Sequence, residues 1–151
     1  MKKILSAFFL LFSLAACNND NTASGKSEND VDAARNFIRS ALDGNFSQAR
    51  QYMLQDTANL QYLDVAEQNY ERAPAETINS YKGSSINIHQ VSPVNDSTTV
   101  VVYSNSFKKD HDTLRVLKLN NQWLVDLKYL YQHDMDTVRP VKSNIDTLTG
   151  K

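Results

Sequence analysis

A chain of 151 residues, 41% hydrophobic and 22% charged, has room for one folded domain and little more. Its net charge of −1 and the lack of any basic patch interleaved with aromatics argue against nucleic acid as a partner. A single cysteine rules out a disulfide within the chain, and beyond the first residues no apolar run approaches the roughly 20 residues of a membrane-spanning helix.

In chain order, Lys2 and Lys3 precede an apolar stretch from Ile4 to Ala16, 13 residues long. That stretch is too short to span a bilayer as a helix and has the size of a signal-peptide core, with the lysine pair on the cytoplasmic side. It ends in Leu14-Ala15-Ala16-Cys17, which resembles the bacterial lipobox. The resemblance implies that residues 1–16 are removed and that Cys17 becomes the acylated first residue, leaving no thiol for redox chemistry. Several acyl chains on one residue satisfy the two-signal requirement for stable anchoring, so the implied partner is a membrane, held through the lipid on Cys17. The leader carries two of the basic residues, and the remainder has 14 basic against 17 acidic residues, a net charge of −3.

Residues 17–28 form the expected lipidated cysteine and tether. Asn18 to Glu28 contains no large apolar residue, so nothing there can be buried, and a flexible coil of this length spans roughly 20 Å. Asn18 is not the aspartate that resembles an inner-membrane retention signal, and Asp20 adds acidity after the cysteine. The expected location is therefore the cell envelope, with the outer membrane preferred over the inner.

Residues 29–131 read as one α+β domain. Val31, Ala34, Ile38, Ala41 and Leu42 fall on one helical stripe with Phe37 beside them. Asn29 or Asp30 supplies an N-cap oxygen, and Gly44 ends the helix by entering the left-handed region without steric cost. A short second helix over Phe46 to Leu54 is predicted to turn Phe46, Ala49 and Tyr52 or Met53 inward. Asp56 caps a third helix, roughly Thr57 to Arg72, with Leu60, Leu63, Ala66 and Tyr70 on one side. Pro74 closes it, and a brief turn follows at Ala75 to Tyr81.

From Gly83 the apolar period drops to two. Ser84 to Val91, Thr98 to Ser106, Thr113 to Leu119 and Gln122 to Leu130 are predicted strands. Pro93 to Asp96 supplies turn chemistry, Lys108 to Asp112 a polar link, and Asn120-Asn121 a two-residue hairpin connection. Helices followed by an antiparallel meander make the class α+β. Residues 132–151 lose periodicity and are expected to be a loose tail.

VDAARNFIRSALDGNFSQARQYM and LKLNNQWLVDLKYL together resemble small bacterial lipoproteins of unknown function with a nuclear transport factor two-like (cystatin-like) domain. The likeness rests on Phe37-Ile38, on the acidic-Gly-x-aromatic turn Asp43 to Phe46, and on the Trp-x-Val-Asp segment Trp123 to Asp126. Asn120-Asn121 departs from the glycine often found in that last turn. The resemblance implies helices packed on a curved four-stranded antiparallel sheet, cone-like, with room for a pocket. These motifs are fold markers, and no catalytic residue is carried across.

No Ser-His-Asp set, Gly-rich phosphate loop or Cys-His arrangement occurs, so no catalytic residue and no cofactor is assigned. Trp123, Val125 and Leu127 share a strand face, so alternation turns Asp126 toward solvent or an edge. His89 has the opposite strand parity to Ile86 and Ile88, and therefore faces away from the core. His111 and Asp112 with His133, Asp134 and Asp136 lack metal-ligand spacing, and no metal is assigned. Tyr52, Tyr62 and Tyr103 are the candidate pocket residues, since an amphipathic ring suits a ligand wall. The expected function is a membrane-anchored module, without catalysis, that binds a protein or small molecule. The competing expectation is a small cone-fold enzyme of isomerase or dehydratase type acting on an apolar small molecule.

Overall fold

The structure, a computed structural model, describes residues 26–136. The leader at 1–16, Cys17, the tether as far as residue 25 and the tail from 137 lie outside the described residues, as do the side chains of His133, Asp134 and Asp136.

Four helices come first. α1 spans Asp30–Leu42, α2 Phe46–Ala49 with a 3-10 turn at Arg50–Tyr52, α3 Thr57–Glu71 and α4 Ala75–Lys82. Their starts follow local chemistry: Asn29, Asn45 and Asp56 each accept a backbone N–H from the first turn of α1, α2 and α3. Asp43 caps the end of α1, and Gly44 follows at φ +77°. A Cβ on Gly44 would sit 2.7 Å from the Tyr70 ring, so the turn needs glycine for space as well as for conformation.

The sheet is a meander of β1 Ile86–Asn95, β2 Thr98–Asn105, β3 Asp112–Leu119 and β4 Gln122–Asp126, antiparallel throughout and ordered as in sequence. Asn120 and Asn121 both take positive φ, 49° and 61°, the conformation a two-residue hairpin needs. The helices lie on one face of this curved sheet, which makes the domain α+β as expected. Alternation selects the residues beneath them: Val101 and Tyr103 of β2, Leu114 and Val116 of β3, and Val125 of β4 are buried. They meet Ala33, Ala34, Phe37 and Ile38 of α1, with Phe46, Ala49, Tyr52, Met53 and Leu63. Each large side chain buried this way contributes roughly 1.5–3 kcal/mol.

Three segments differ from the sequence expectation. α4 is a full helix of 8 residues in place of a brief turn, and Pro74 opens it as its N-cap residue. β1 runs through Pro93 to Asn95, because it is an edge strand and its N–H groups on that side need no partner. Register shifts at Ile88/Gln90 and Pro93/Asn95 interrupt this edge. Finally, β4 stops at Asp126, and Leu127–Asp136 forms a helix, α5, so Tyr129 and Tyr131 are helical and the element continues past residue 131.

The same junction overturns the expected exposure of Asp126, which is 1% exposed. Alternation holds, since Val125 faces the core, but at the end of β4 the Asp126 carboxylate is enclosed by Asn59 from the start of α3 and by Arg115, its cross-strand partner on β3. Asp126 accepts from Arg115 Nη2 and Nε at 2.5 and 3.2 Å and from Asn59 Nδ2 at 3.3 Å. It also accepts from the Lys128 backbone N–H at 3.2 Å, acting as the N-cap of α5. Asn59, fully buried, accepts the Leu127 N–H at 2.6 Å and gives its amide to Asp56 at 2.7 Å. Lys128 Nζ closes the circuit on Asp56 at 2.9 Å, and the Arg115 guanidinium lies over the Tyr129 ring.

Candidate functional site

A cavity of about 300 Å³ opens between the helices and the sheet. α1 contributes Phe37, Ile38, Ala41 and Leu42 to its wall, and α2 contributes Phe46. The opposite wall comes from Ala66 and Tyr70 of α3 and Thr77 and Tyr81 of α4, with Tyr103 and Asn105 of β2 forming the floor. The small alanines on α1 and α3 leave the space, because no side chain from either helix fills it. The lining is predominantly apolar, and besides the tyrosines its polar side chains are Asn69 of α3, Thr77 of α4, Asn105 of β2, Lys108 of the loop that follows and Asp112 of β3.

Phe46, Tyr70 and Tyr81 place three rings along the wall, and Phe107 packs against the last of them. Phe46 meets Tyr70 edge-on at 5.5 Å, Tyr70 stacks near Tyr81 at 6.1 Å, and Tyr81 meets Phe107 edge-on at 5.1 Å. Tyr70 is held in place because its hydroxyl donates to the Leu42 carbonyl at 3.1 Å. α4 is fixed at its C-terminal end by Arg39, whose guanidinium donates to the carbonyls of Tyr81, Lys82 and Ser84 and pairs with Asp43. Those helix-end carbonyls favour a cation. The loop beyond β2 is pinned by Asn105, whose side-chain oxygen accepts from the N–H groups of Phe107 and Lys108 at 3.1 and 2.9 Å.

Tyr103 and Asp112 lie directly opposite each other on β2 and β3, both on the helix-covered face. Burial raises the Tyr103 phenol well above its ordinary range, and the Asp112 carboxylate beside it pushes the same way. The phenol therefore stays protonated at physiological pH, and it donates a hydrogen bond to the Asp112 side chain. Tyr131 of α5 is raised too, first by burial and then by Asp112 and Tyr62. The sheet face thus presents a carboxylate among protonated phenols.

The three candidate tyrosines occupy different places. Tyr103 lines the cavity. Tyr62 is half-buried on α3 and stacks on Tyr131 at 4.4 Å. Tyr52 is 3% exposed within the apolar core. His89 is exposed, bonded through Nε2 to the Ser104 hydroxyl at 2.8 Å and stacked on His111 at 4.1 Å. Among the described residues no group of three or more His, Cys, Asp or Glu is placed to hold a metal ion.

Asp112, weighed in the sequence only as a metal ligand, and the aromatic wall were not among the candidate pocket residues. A signal for Asp112 existed: it shares parity with Leu114 and Val116, so starting β3 one residue earlier places it on the core face. Of the wall, Phe46 and Tyr70 fell on inward stripes in the sequence, but their meeting with Tyr81 had no signal, since the three rings come from separate segments.

No protein-family profile matches the chain, and no curated protein matches it. Among solved structures, the chain is similar to an NTF-2-like protein of unknown function from Shewanella oneidensis MR-1. Identity is 17% and the TM-score 0.48, with 63% of this chain and 89% of that chain covered.

Proposed function

We propose that this chain is an exported lipoprotein whose α+β domain binds a small, largely apolar molecule without transforming it. The cavity between α1, α3, α4 and the sheet carries the binding reading, because it is concave, mostly apolar and has a few polar groups in its lining. The lipobox-like Leu14 to Cys17 and the lysine-led apolar leader support the anchoring reading. The tether after Cys17 would hold the domain at the envelope surface, with the outer membrane as the preferred site.

Binding is tested with an apolar fluorescent probe. The unaltered chain is expected to enhance probe emission, and Ala41→Trp, which fills the cavity, is expected to abolish the enhancement while circular dichroism stays unchanged. Equal enhancement from both proteins would remove the cavity from the account. For anchoring, a fatty-acid analogue fed to cells should label the unaltered chain and leave Cys17→Ala unlabelled; label on the variant would sink the lipoprotein reading.

The adjacency of Asp112 and Tyr103 favours a second reading, an isomerase or dehydratase type of enzyme. A carboxylate that accepts a proton beside a phenol that donates a hydrogen bond is a workable acid–base pair. On that reading Asp112→Asn would remove turnover of an apolar carbonyl or hydroxy compound and leave its binding nearly intact.

A further inference from the structure

The strand order places both hairpin turns of the sheet at one end. β1 and β3 run toward it and β2 and β4 run away from it, so the turns after Asn95 and after Leu119 lie side by side. The Lys118 N–H donates to the Ser97 carbonyl at 2.8 Å and ties the two tips together. Each tip carries an apolar side chain out into solvent: Val94 is 64% exposed and Leu119 49%. Trp123, the cross-strand partner of Lys118, is half-buried behind them, and the Lys118 ammonium lies 5.4 Å from the centre of its ring. Tryptophan and lysine beside exposed apolar tips are the residue types that settle at a lipid–water boundary, where the indole sits among head groups and the lysine stem reaches back to water.

α1 also starts at this end. Its first residue, Asp30, accepts from the buried Thr99 hydroxyl, one position beyond the start of β2. Lys26 lies four positions before α1, and nine residues separate it from Cys17, a reach of at most about 30 Å. An anchor on Cys17 therefore brings the hairpin end within reach of a bilayer. The cavity lies toward the other end, beside the last turn of α1 and the connection from β2 to β3. Lys26 and Lys118 stand at the hairpin end with Glu28 and Asp96, so neither sign of charge dominates there and the attraction it offers is apolar.

Resting on the anchoring reading above, we infer that the hairpin end is a lipid-docking surface. Val94 and Leu119 enter the interfacial layer of a bilayer, Trp123 and Lys118 lie at head-group level, and the domain stands with its cavity end pointing away from the membrane. Two apolar side chains are too few to hold a domain on lipid by themselves; the anchor supplies attachment and the tips supply orientation.

Trp123 is the chain's only tryptophan and reports the contact directly. The full chain, acylated in bacteria, is reconstituted into neutral phosphatidylcholine vesicles with or without bromine on the acyl chains, since bromine quenches an indole on contact. Its emission is expected to be about twofold lower in the brominated vesicles. Val94→Asp combined with Leu119→Asp should abolish that quenching while the protein still floats with the vesicles, and the milder Leu119→Ser should remove part of it. Val65→Asp, which removes a comparably exposed apolar residue from α3, should change nothing. Quenching that survives the double substitution, or that Val65→Asp reduces as much, would overturn the assignment while leaving the anchor in place. So would an unquenched Trp123 together with a dimer in detergent that Leu119→Asp splits, which gives the surface to a second copy of this chain. If the unaltered chain does not float with the vesicles, the anchoring reading falls and this inference with it.

Discussion

The two ends of the helix layer are built on opposite plans. Where α3 begins, Asp56, Asn59, Arg115, Asp126 and Lys128 form a closed polar circuit in which each side chain meets a partner. Where α3 ends, Ala66, Tyr70 and the neighbouring α4 face an unfilled, mostly apolar space. The first arrangement joins two helices and two strands rigidly and leaves no buried side-chain polar atom unsatisfied among the described residues. The second leaves dispersion contacts unmade, a loss a natural core rarely tolerates without use. The contrast separates what holds this domain together from what it has to offer a ligand.

Substitutions at the two ends should therefore have opposite signatures. The largest effect is expected from Asp126→Ala, which strands a buried Asn59 and an Arg115 that is a third exposed; urea unfolding should show a loss of about 3 kcal/mol. An unfolding midpoint equal to that of the unaltered chain would make the circuit ornamental. Gly44→Ala should follow at about 2 kcal/mol, since it adds strain at φ +77° and pushes the Tyr70 ring from the cavity wall. It alone should lower stability and weaken probe binding together. At the open end, Ala66→Leu should raise stability by about 1 kcal/mol through cavity filling and weaken probe binding. A clear loss of stability there would mean the space is already occupied by well-fitted neighbours.

The smallest effect concerns Asp56, whose carboxyl is pulled down to about 2, first by Lys128 and then by the Asn59 N–H. A carboxylate lowered in the folded state adds stability above its ordinary range, and that contribution disappears as pH falls from about 4 toward about 2. Asp56→Asn preserves the cap and removes the Lys128 pairing, so its acid unfolding curve should be slightly flatter in that window. Salt should shrink the difference, because this pair is exposed to solvent.

What could be read from residues alone was the chemistry that acts locally. The α1 stripe, the caps at Asn29 and Asp56, the glycine at 44 and the Asn120-Asn121 turn depend on neighbours within a few positions, and all appear in the structure. Asp126 shows where that reasoning stops. Its parity was right, but its burial depends on Asn59, 67 residues earlier in the chain. The end of β4 was missed for the same reason: Leu127 to Leu130 suits a strand or a helix, and the choice is made by Asn59 and Asp126 accepting the first N–H groups of α5. Of the site, Tyr103 was accessible through strand alternation. The meeting of Phe46, Tyr70 and Tyr81 was not, because these rings become neighbours only after folding.

Arg39 and Pro74 give α4 a particular character. The helix contains no fully buried residue, is tied at its C-terminal end through one guanidinium, and begins at a proline after α3 has stopped. Its amides should therefore exchange with solvent deuterium sooner than those of α1, through openings that leave the core folded. Because Thr77 and Tyr81 form part of the cavity wall, a bound molecule would report itself as slowed exchange along α4. This single helix would then register occupancy as a change in local opening free energy, with no rearrangement of the sheet.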